Sequence, residues 1–220
     1  EASSRYRLLR AVKNRFGAAN ELGVFAMTDQ GLKAVNNPSA IFLTRHEKPV
    51  SGSVVMGSLE GTRPMLVEIQ TLAETSHLGS PRRVCVGFEL QRLAMLGAVM
   101  HRHLGVSSHD LDLFVNVVGG LKVTETGVDL PILVALLSSI REKPLPQDLV
   151  VFGEVGLAGE VRPVRGGLER LKEAAGLGFR QALVSEHNRP ATEQRIDGLI
   201  VHPIRTVAEI ADWFGALKTS

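Results

Sequence analysis

The sequence predicts an α/β (α+β) domain that follows a short amino-terminal connector. Apolar residues make up 44% of the 220 residues, which is enough for one generous core. After residue 80, short β-branched strands alternate with segments of helical periodicity, as in layered α/β folds. The formal net charge of +2 means that nucleic-acid binding would need a local basic patch. The single cysteine, Cys85, excludes an intrachain disulfide and suits the reducing cytoplasm.

The predicted connector comprises residues 1–21, and the domain comprises residues 22–220. The connector is rich in arginine and contains the pentapeptide Lys13-Asn14-Arg15-Phe16-Gly17. The domain starts with two apolar runs on either side of Asp29-Gln30-Gly31, which predict a hairpin because glycine accepts a positive φ. The chain starts without a methionine, and we expect it to be a fragment of a longer protein.

The remaining elements follow from periodicity and from glycine and proline positions. Strands are predicted at 52–59, 64–72, 82–88, 113–118, 149–152, 181–184 and 198–202. Helices are predicted at 90–104, 128–142, 167–177 and around 207–217. The second helix places its leucines on one side, and Pro144 and Pro146 end it. Its apolar run, 128–140, is too short to span a membrane and contains Asp129 and Pro131.

A β-hairpin that leads into a helix is predicted from Val151 to Ala174, with the sequence VFGEVGLAGEVRPVRGGLERLKEA. This stretch resembles the proteolytic domain of Lon-type proteases, which implies a ribosomal-protein-type βαβ fold and a serine–lysine dyad. Ungapped counting from Gly153 places the nucleophile position at Gly127 and the base position at Arg170. Glycine has no side chain to attack with, and a guanidinium does not give up its proton. The resemblance therefore implies a protease fold without protease chemistry.

Several longer segments extend the resemblance over nearly the whole chain. They are KNRFG, ELGVFAMTDQGL, GSLEGTRPMLVEIQTL, PRRVCVGFELQRLAML, VNVVGGLKVTET and VFGEVGLAGEVRPV. In this order they resemble the RadA (Sms) family of bacterial DNA-repair proteins. That family joins a zinc-binding motif, a RecA-like ATPase and a Lon-like domain in hexameric rings that drive branch migration in homologous recombination. The resemblance implies that Lys13 and Arg15 act on nucleotide bound by a neighbouring subunit.

No cofactor is expected in this fragment. The phosphate-binding pattern G-x-x-x-x-G-K-[ST] is missing, and one cysteine cannot form a four-ligand zinc site. His101 and His103 lie on different sides of a helix, so no metal site is expected there either. We expect ATP, Mg and Zn to belong to the part of the protein that precedes this fragment. The fragment itself is expected not to be an enzyme, while the full-length protein is expected to be a DNA-dependent ATPase or helicase.

The resemblance implies a non-catalytic scaffold that builds a hexameric ring and contacts duplex DNA. Arginines position a duplex through its phosphates, and the candidates are Arg63, Arg82, Arg83, Arg162 and Arg165. One alternative is a residual serine peptidase, for which the available side chains are Ser107, Ser108, Ser138, Ser139, Lys122 and Lys172. The other is a docking platform for a RecA-type recombinase. Asp129 and Glu154 are interpreted as caps of helices and turns. The expected location is the cytoplasm.

Overall fold

The computed structural model describes residues 6–10, 22–35, 39, 43, 47–77 and 79–217, and it confirms the α/β class. The strands are β1 Tyr6–Arg10, β2 Leu22–Thr28, β3 Gly31–Ala34, β4 Ser53–Glu60, β5 Arg63–Thr75, β6 Arg83–Val86, β7 Leu111–Val117, β8 Leu149–Phe152, β9 Glu154–Val155, β10 Val161–Arg162, β11 Gln181–Ser185 and β12 Ile200–Ile204. The α-helices are α1 Leu90–Leu104, α2 Asp129–Ile140, α3 Gly167–Gly176 and α4 Ala208–Ala216. The Lon-type fold stays a prediction.

Seven strands form the central sheet in the order β12-β11-β8-β4-β5-β7-β6. The pairs of β5 with β4 and β7 are antiparallel, and the other pairs are parallel. All four residues of β8 are buried, because helices cover both faces of the parallel half of the sheet. A continuous apolar run is typical of such strands. The sheet thus has an enclosed half around β8 and a more open half at its β6 edge.

Helices pack on both faces of this sheet. Residues of α1, α2 and α4 form one apolar cluster with β5 and β7, while α3 packs on the opposite face over β4 and β5, in a second cluster that includes residues of β8. Eleven of the twelve residues of α2 are buried. The prediction of a one-sided helix was therefore wrong for α2, because the sheet and the neighbouring helices enclose it on all sides. A helix that is apolar all round is typical of such a position.

A separate three-stranded antiparallel sheet precedes the central sheet. The turn at Asp29 and Gln30 joins β2 to β3, which confirms the predicted hairpin. β1 lies inside the predicted connector and pairs with β2. The connector and the start of the domain therefore share a sheet, and the boundary at residue 21 stays a prediction. The pentapeptide from Lys13 to Gly17 lies outside the described residues.

Candidate functional site

Gly127 and Arg170, which lie far apart in sequence, are neighbours in the structure. Gly127 is buried in the 3-10 turn Thr126–Val128, which leads directly into α2, and Arg170 lies in the first turn of α3. A Cβ atom built on Gly127 would lie 3.5 Å from Nη1 of Arg170. The structure thus brings together the two positions that were counted from the Lon-type resemblance.

All three nitrogens of the Arg170 guanidinium donate hydrogen bonds. Its Nη1 donates to the carbonyl oxygen of Gly57 at 2.6 Å and to Oε1 of Glu125 at 3.0 Å. Its Nη2 donates to Oε2 of Glu125 at 2.5 Å, and its Nε donates to the carbonyl oxygen of Arg165 at 3.0 Å. The guanidinium carbon also lies 5.5 Å from the ring centre of Phe152. A buried cation requires such partners, because an unpaired charge in the core is very costly.

Glu125 connects this arginine to strand β4. Its Oε1 also accepts a hydrogen bond from the Ser58 hydroxyl at 2.7 Å and one from the Leu59 amide at 3.1 Å. Gly57 lies opposite, where a Cβ would come within 3.3 Å of Cβ of Arg170. The absence of a side chain at Gly57 therefore permits the close approach of α3 to β4. The pair holds β4, α3 and the loop before α2 together.

The chemistry of the two positions is structural in character. Gly127 offers no nucleophilic atom, and the guanidinium of Arg170 is bound in a bidentate pair that keeps it charged. Ser138 and Ser139 serve the backbone instead: Ser138 Oγ accepts from the Gly52 amide at 3.0 Å, and Ser139 Oγ accepts from the Ala73 amide at 2.9 Å.

The other side chains considered for a peptidase are exposed or have other hydrogen-bond partners. Lys172 is exposed on α3, as its position two residues beyond Arg170 predicts. Lys122 and Ser107 are also exposed, and Ser107 accepts a hydrogen bond from the His109 amide at 3.3 Å. Ser108 is buried, and its carbonyl oxygen accepts from Nη2 of Arg83 at 2.6 Å. Within the residues that the structure describes, no group of three or more metal-ligating side chains converges.

A second buried ion pair lies at the start of α2. Asp129 accepts hydrogen bonds from Nε of Arg92 and, at 2.5 Å, from its Nη2. It also accepts one from the Val155 amide at 3.1 Å. Desolvation raises the pKa of the Asp129 carboxyl, although these hydrogen bonds oppose the shift. The hydrogen bond to Asp129 raises the pKa of Arg92.

Asp129 and Glu154 were interpreted as caps, and the structure corrects this. Asp129 does lie in the first turn of α2, but its carboxylate joins α1 and β9 through Arg92 and the Val155 amide. Glu154 forms a 3.5 Å ion pair with Arg162 across the β9–β10 hairpin. Both side chains therefore link separate elements, which local sequence patterns do not reveal.

Three of the five arginines proposed to contact DNA lie near the Arg170 site. Arg165 donates to the carbonyl oxygen of Gly61 at 3.1 Å, next to Arg63 at the start of β5. Arg162 lies on β10 and contacts Glu154 and Glu160. These three arginines lie at one end of the central sheet, where Glu154 and Glu160 form ion pairs with Arg162.

The other two candidate arginines lie at the opposite end of β5, roughly 35 Å from Arg63 at the usual rise of a strand. Arg82 donates to Asp112 through its amide, Nε and Nη2, at 2.7, 2.9 and 2.7 Å. The hydrogen bond from the Arg82 amide is the largest cause that lowers the pKa of the Asp112 carboxyl to about 2. Hydrogen bonds from the Arg82 side chain lower this pKa further, whereas desolvation opposes the shift. Arg83 donates to the carbonyl oxygens of Ser108 and Leu111. The structure therefore does not bring all five arginines together.

An open pocket of about 390 Å³ adjoins the Arg170 site. The residues that line it are Leu59, Thr124, Glu125, Thr126, Pro163, Val164, Arg165 and Arg170. Gly127 is next to this lining, because a Cβ built on it would lie 3.4 Å from Cγ1 of Val164. Sequence analysis missed two residues that shape this region, Glu125 and Asn188. A signal for Glu125 was present, because Arg170 shares a helical face with Leu171 and Ala174 and therefore needs an acidic partner.

Burial also affects Cys85, which lies on β6 and packs against the apolar cluster of α1 and α2. Desolvation raises the pKa of its thiol, which keeps the reactive thiolate scarce at neutral pH. In the part of the chain that the structure describes, no helix is long and apolar enough to cross a bilayer.

Comparisons with known proteins give two kinds of match. Residues 98–188 match the family model described as subunit ChlI of Mg-chelatase. The chain is 64% identical over 190 residues to the DNA repair protein RadA of Pseudomonas aeruginosa, covering 86% of this chain and 42% of that protein. It is 58% and 57% identical over 217 residues to the DNA repair proteins RadA of Salmonella typhimurium and Escherichia coli, covering 99% of this chain and 47% of each relative. The chain thus spans somewhat less than half the length of these relatives.

Proposed function

Because this chain belongs to the RadA family of bacterial DNA repair proteins, we propose that it is the non-catalytic, Lon-like scaffold of a DNA repair ATPase. The observation that supports this role most directly is the buried Arg170–Glu125 pair beside Gly127. At the two positions where a peptidase needs a nucleophile and a base, this chain has a glycine and an arginine that is held in a buried ion pair with Glu125. The residual-peptidase alternative is disfavoured for the same reason.

The scaffold builds a hexameric ring that contacts duplex DNA during branch migration in homologous recombination. In this proposal ATP, Mg and Zn are bound by parts of the full-length protein outside this chain, and the protein works in the cytoplasm. Lys13 and Arg15 of the pentapeptide deliver positive charge to nucleotide held by a neighbouring subunit, as an arginine finger does. Replacing Lys13 in the full-length protein should lower DNA-stimulated ATP turnover and branch migration together. Unchanged rates would reject this part of the proposal.

Ring formation is tested by light scattering during size exclusion, at low and moderate salt. A species near six times 23.8 kDa would support ring-forming contacts within this chain. A monomer at both salt concentrations would contradict self-assembly of the chain and assign ring formation to the rest of the protein.

Duplex contact is tested through the salt dependence of binding. Arg165 is the first candidate to test, because its side chain donates to a single carbonyl oxygen, whereas Arg82, Arg83 and Arg162 are held by carboxylates or by several carbonyl oxygens. Replacing Arg165 by Ala should lower the slope of log affinity against log salt by about 1 if it contacts a phosphate. The exposed Arg195, outside the candidate set, provides the matched Arg→Ala control. Equal slopes for the two variants would exclude Arg165 as a DNA contact.

A docking platform for a RecA-type recombinase is the second candidate function, and the open pocket beside Gly127 favours it. Recombinase binding in the absence of DNA, measured with the full-length protein, separates the two functions. Salt-sensitive duplex binding without recombinase binding would support the scaffold alone.

A further inference from the structure

One half of the central sheet has an exposed apolar face, and the outer side of helix α1 is apolar as well. We propose that these two surfaces bind each other between neighbouring copies of this chain, so that α1 of one copy covers the exposed sheet face of the next. This inference rests on the proposed ring and identifies a contact that builds it. Its physical basis is that an apolar helix side or sheet face needs another element to bury it.

The open sheet face consists of Leu72 on β5, Phe114 on β7, and Val84 and Val86 on β6. The register pairs Leu72 with Phe114 and Phe114 with Val84, so these side chains share one face. Leu66 points to the same face of β5 and packs in the cluster of α3. Leu72, Val84 and Val86 are 55%, 43% and 51% exposed. Helix α3 therefore covers only one half of this face.

The polar neighbours of the open sheet face are bound to one another. The guanidinium carbon of Arg82 lies 5.5 Å from the ring centre of Phe114, and its nitrogens donate to Asp112 at 2.9 and 2.7 Å. Nδ2 of Asn116 donates to Oε1 of Gln70 at 3.3 Å. An apolar centre with a polar rim is typical of a protein interface.

The outer side of α1 consists of Leu90, Ala94, Met95 and Ala98. All four residues are exposed, and the exposed fractions of Leu90 and Met95 are 50% and 48%. The buried residues of the helix lie on its other side, against the core. A surface helix normally has charged or polar residues on its solvent side. The small side chains of Ala94 and Ala98 permit the helix backbone to approach a sheet closely.

The two surfaces lie on opposite faces of the central sheet. Helix α1 packs in the cluster that contains α2 and α4, whereas the open sheet face lies on the side of α3. A chain therefore cannot place its own α1 on its own open sheet face. When each copy carries two different surfaces that fit each other, the contact is head-to-tail, and it closes into a ring if the rotation between copies permits.

The charges at the ends of the two surfaces are complementary. Glu89 and Arg102 are exposed at the two ends of α1, roughly 20 Å apart along the helix. Glu74 borders the open sheet face at one end. Lys122 is exposed at the other end, where the Val123 amide donates to a carbonyl oxygen just beyond β6. These borders are roughly 15–20 Å apart along β7, so one orientation of α1 pairs Arg102 with Glu74 and Glu89 with Lys122.

The contact is tested by photo-crosslinking in the full-length protein that contains this chain. Met95→benzoylphenylalanine places a photoreactive group on the outer side of α1, and Lys172→benzoylphenylalanine places the same group on the exposed side of α3 as a control. We expect illumination of the Met95 variant to join two copies, with the adduct located by mass spectrometry at Leu72, Val84, Val86 or Phe114. Absence of this adduct, or the same adduct from the Lys172 variant, would overturn the proposal.

A pair of charge variants tests whether the contact is head-to-tail. Val84→Asp and Ala98→Asp each bury a carboxylate without a partner, so each should raise the protein concentration needed for half-assembly at least about tenfold. An equal mixture of the two should form one-to-one dimers, because each variant retains the surface that the other has lost. Ile200→Asp, at the opposite edge of the sheet, is the control and should assemble like the unsubstituted protein.

Light scattering during size exclusion measures these species and separates the two proposals. A mixture of the Val84 and Ala98 variants that stays monomeric would reject the head-to-tail contact. Unsubstituted full-length protein that is monomeric would reject the proposed ring and this contact together. A ring without an adduct between Met95 and the open sheet face would reject the contact alone and assign ring formation to other surfaces.

Discussion

Two arginines of this chain, Arg170 and Arg82, each hold a carboxylate in a bidentate ion pair, but they differ in which partner is buried. The side chain of Arg170 is 1% exposed and that of Glu125 is 24% exposed. In the other pair Arg82 is 57% exposed and Asp112 is 4% exposed. The buried cation has additional carbonyl acceptors from Gly57 and Arg165, whereas the side chain of Arg82 is open to solvent.

This difference indicates that the same chemical pair has two uses. At Arg170 the pair lies inside the fold, so removing Glu125 leaves a buried cation without its counter-ion, and removing Arg170 leaves Glu125 without its counter-ion and two carbonyl oxygens without their donor. At Arg82 the exposed guanidinium donates hydrogen bonds to the buried carboxylate of Asp112. Water can partly replace these hydrogen bonds when the arginine is removed. Stability measurements on matched variants should separate the two cases.

The largest effect is expected from Arg170→Met, which leaves Glu125 without its cation. We expect the free energy of unfolding to fall by about 3–5 kcal/mol, as for other broken buried pairs. Urea denaturation monitored by circular dichroism measures this loss. Lys172→Met, on the exposed side of the same helix, is the control and should change stability by less than about 0.5 kcal/mol.

The double variant Arg170→Met with Glu125→Leu sharpens the same comparison. Removing both charges should recover a large part of the stability that the single variant loses, because no buried charge remains unpaired. If the double variant were as unstable as the sum of the two single variants, the ion pair would not be the source of the loss.

An intermediate effect is expected at the second buried carboxylate. Arg92→Met removes the bidentate partner of Asp129, although the Val155 amide still donates to it. We expect a loss of about 2–3 kcal/mol, smaller than at Arg170, because Arg170→Met also leaves the carbonyl oxygens of Gly57 and Arg165 without their donor and because Asp129 can take up a proton. Thermal unfolding at neutral pH measures it, and a loss equal to that of Arg170→Met would contradict this order.

The pH dependence of stability should have opposite signs at the two aspartates. The pKa of Asp112 is about 2 in the folded state against about 3.9 when unfolded, so its contribution is present above pH ~4 and declines as the pH falls towards 2. The pKa of Asp129 is raised, so its folded state binds a proton more tightly and loses stability as the pH rises above ~4. Asp112→Asn should flatten the acid branch of the stability curve. A steeper acid branch in this variant would show the assignment to be wrong.

The smallest effect is expected for Gly127→Ser. A Cβ at this position would make ordinary contacts of 3.4 and 3.5 Å, and Gly127 has no positive φ that would strain a larger residue. Stability should change by less than about 1 kcal/mol. Casein digestion should remain undetectable, because Arg170 cannot accept the serine proton. Measurable turnover would show that a base other than Arg170 reaches this position.

The sequence predicted the elements whose pattern is local. Helix α1 runs from Leu90 to Leu104, the first and last of the residues predicted to lie at helical spacing, and Gly105 follows in a left-handed conformation. The strand predicted at 82–88 is shorter, Arg83–Val86, because Gly87 turns the chain with a φ of 77° and its carbonyl oxygen accepts from Val123. Strand ends of this kind depend on partners that are distant in sequence.

The site was predicted only in part for the same reason. Gly127 and Arg170 were located by spacing, and the structure brings them together. Their partner Glu125 was missed, because its pairing with Arg170 joins residues 45 positions apart. Single-residue reasoning about exposed arginines likewise could not show that Arg83 donates to backbone carbonyl oxygens.

The parallel pairing of β4 with β8 has a consequence for synthesis of the chain on the ribosome. Val55 pairs with Val150, so the centre of the sheet cannot close until roughly 90 further residues have been translated. At about 5–20 residues per second this delay lasts on the order of 5–20 s. During that time the β4–β5 hairpin has an apolar edge without its neighbour, a situation in which nascent chains depend on chaperones. Slow codons placed between these strands would lengthen that exposure.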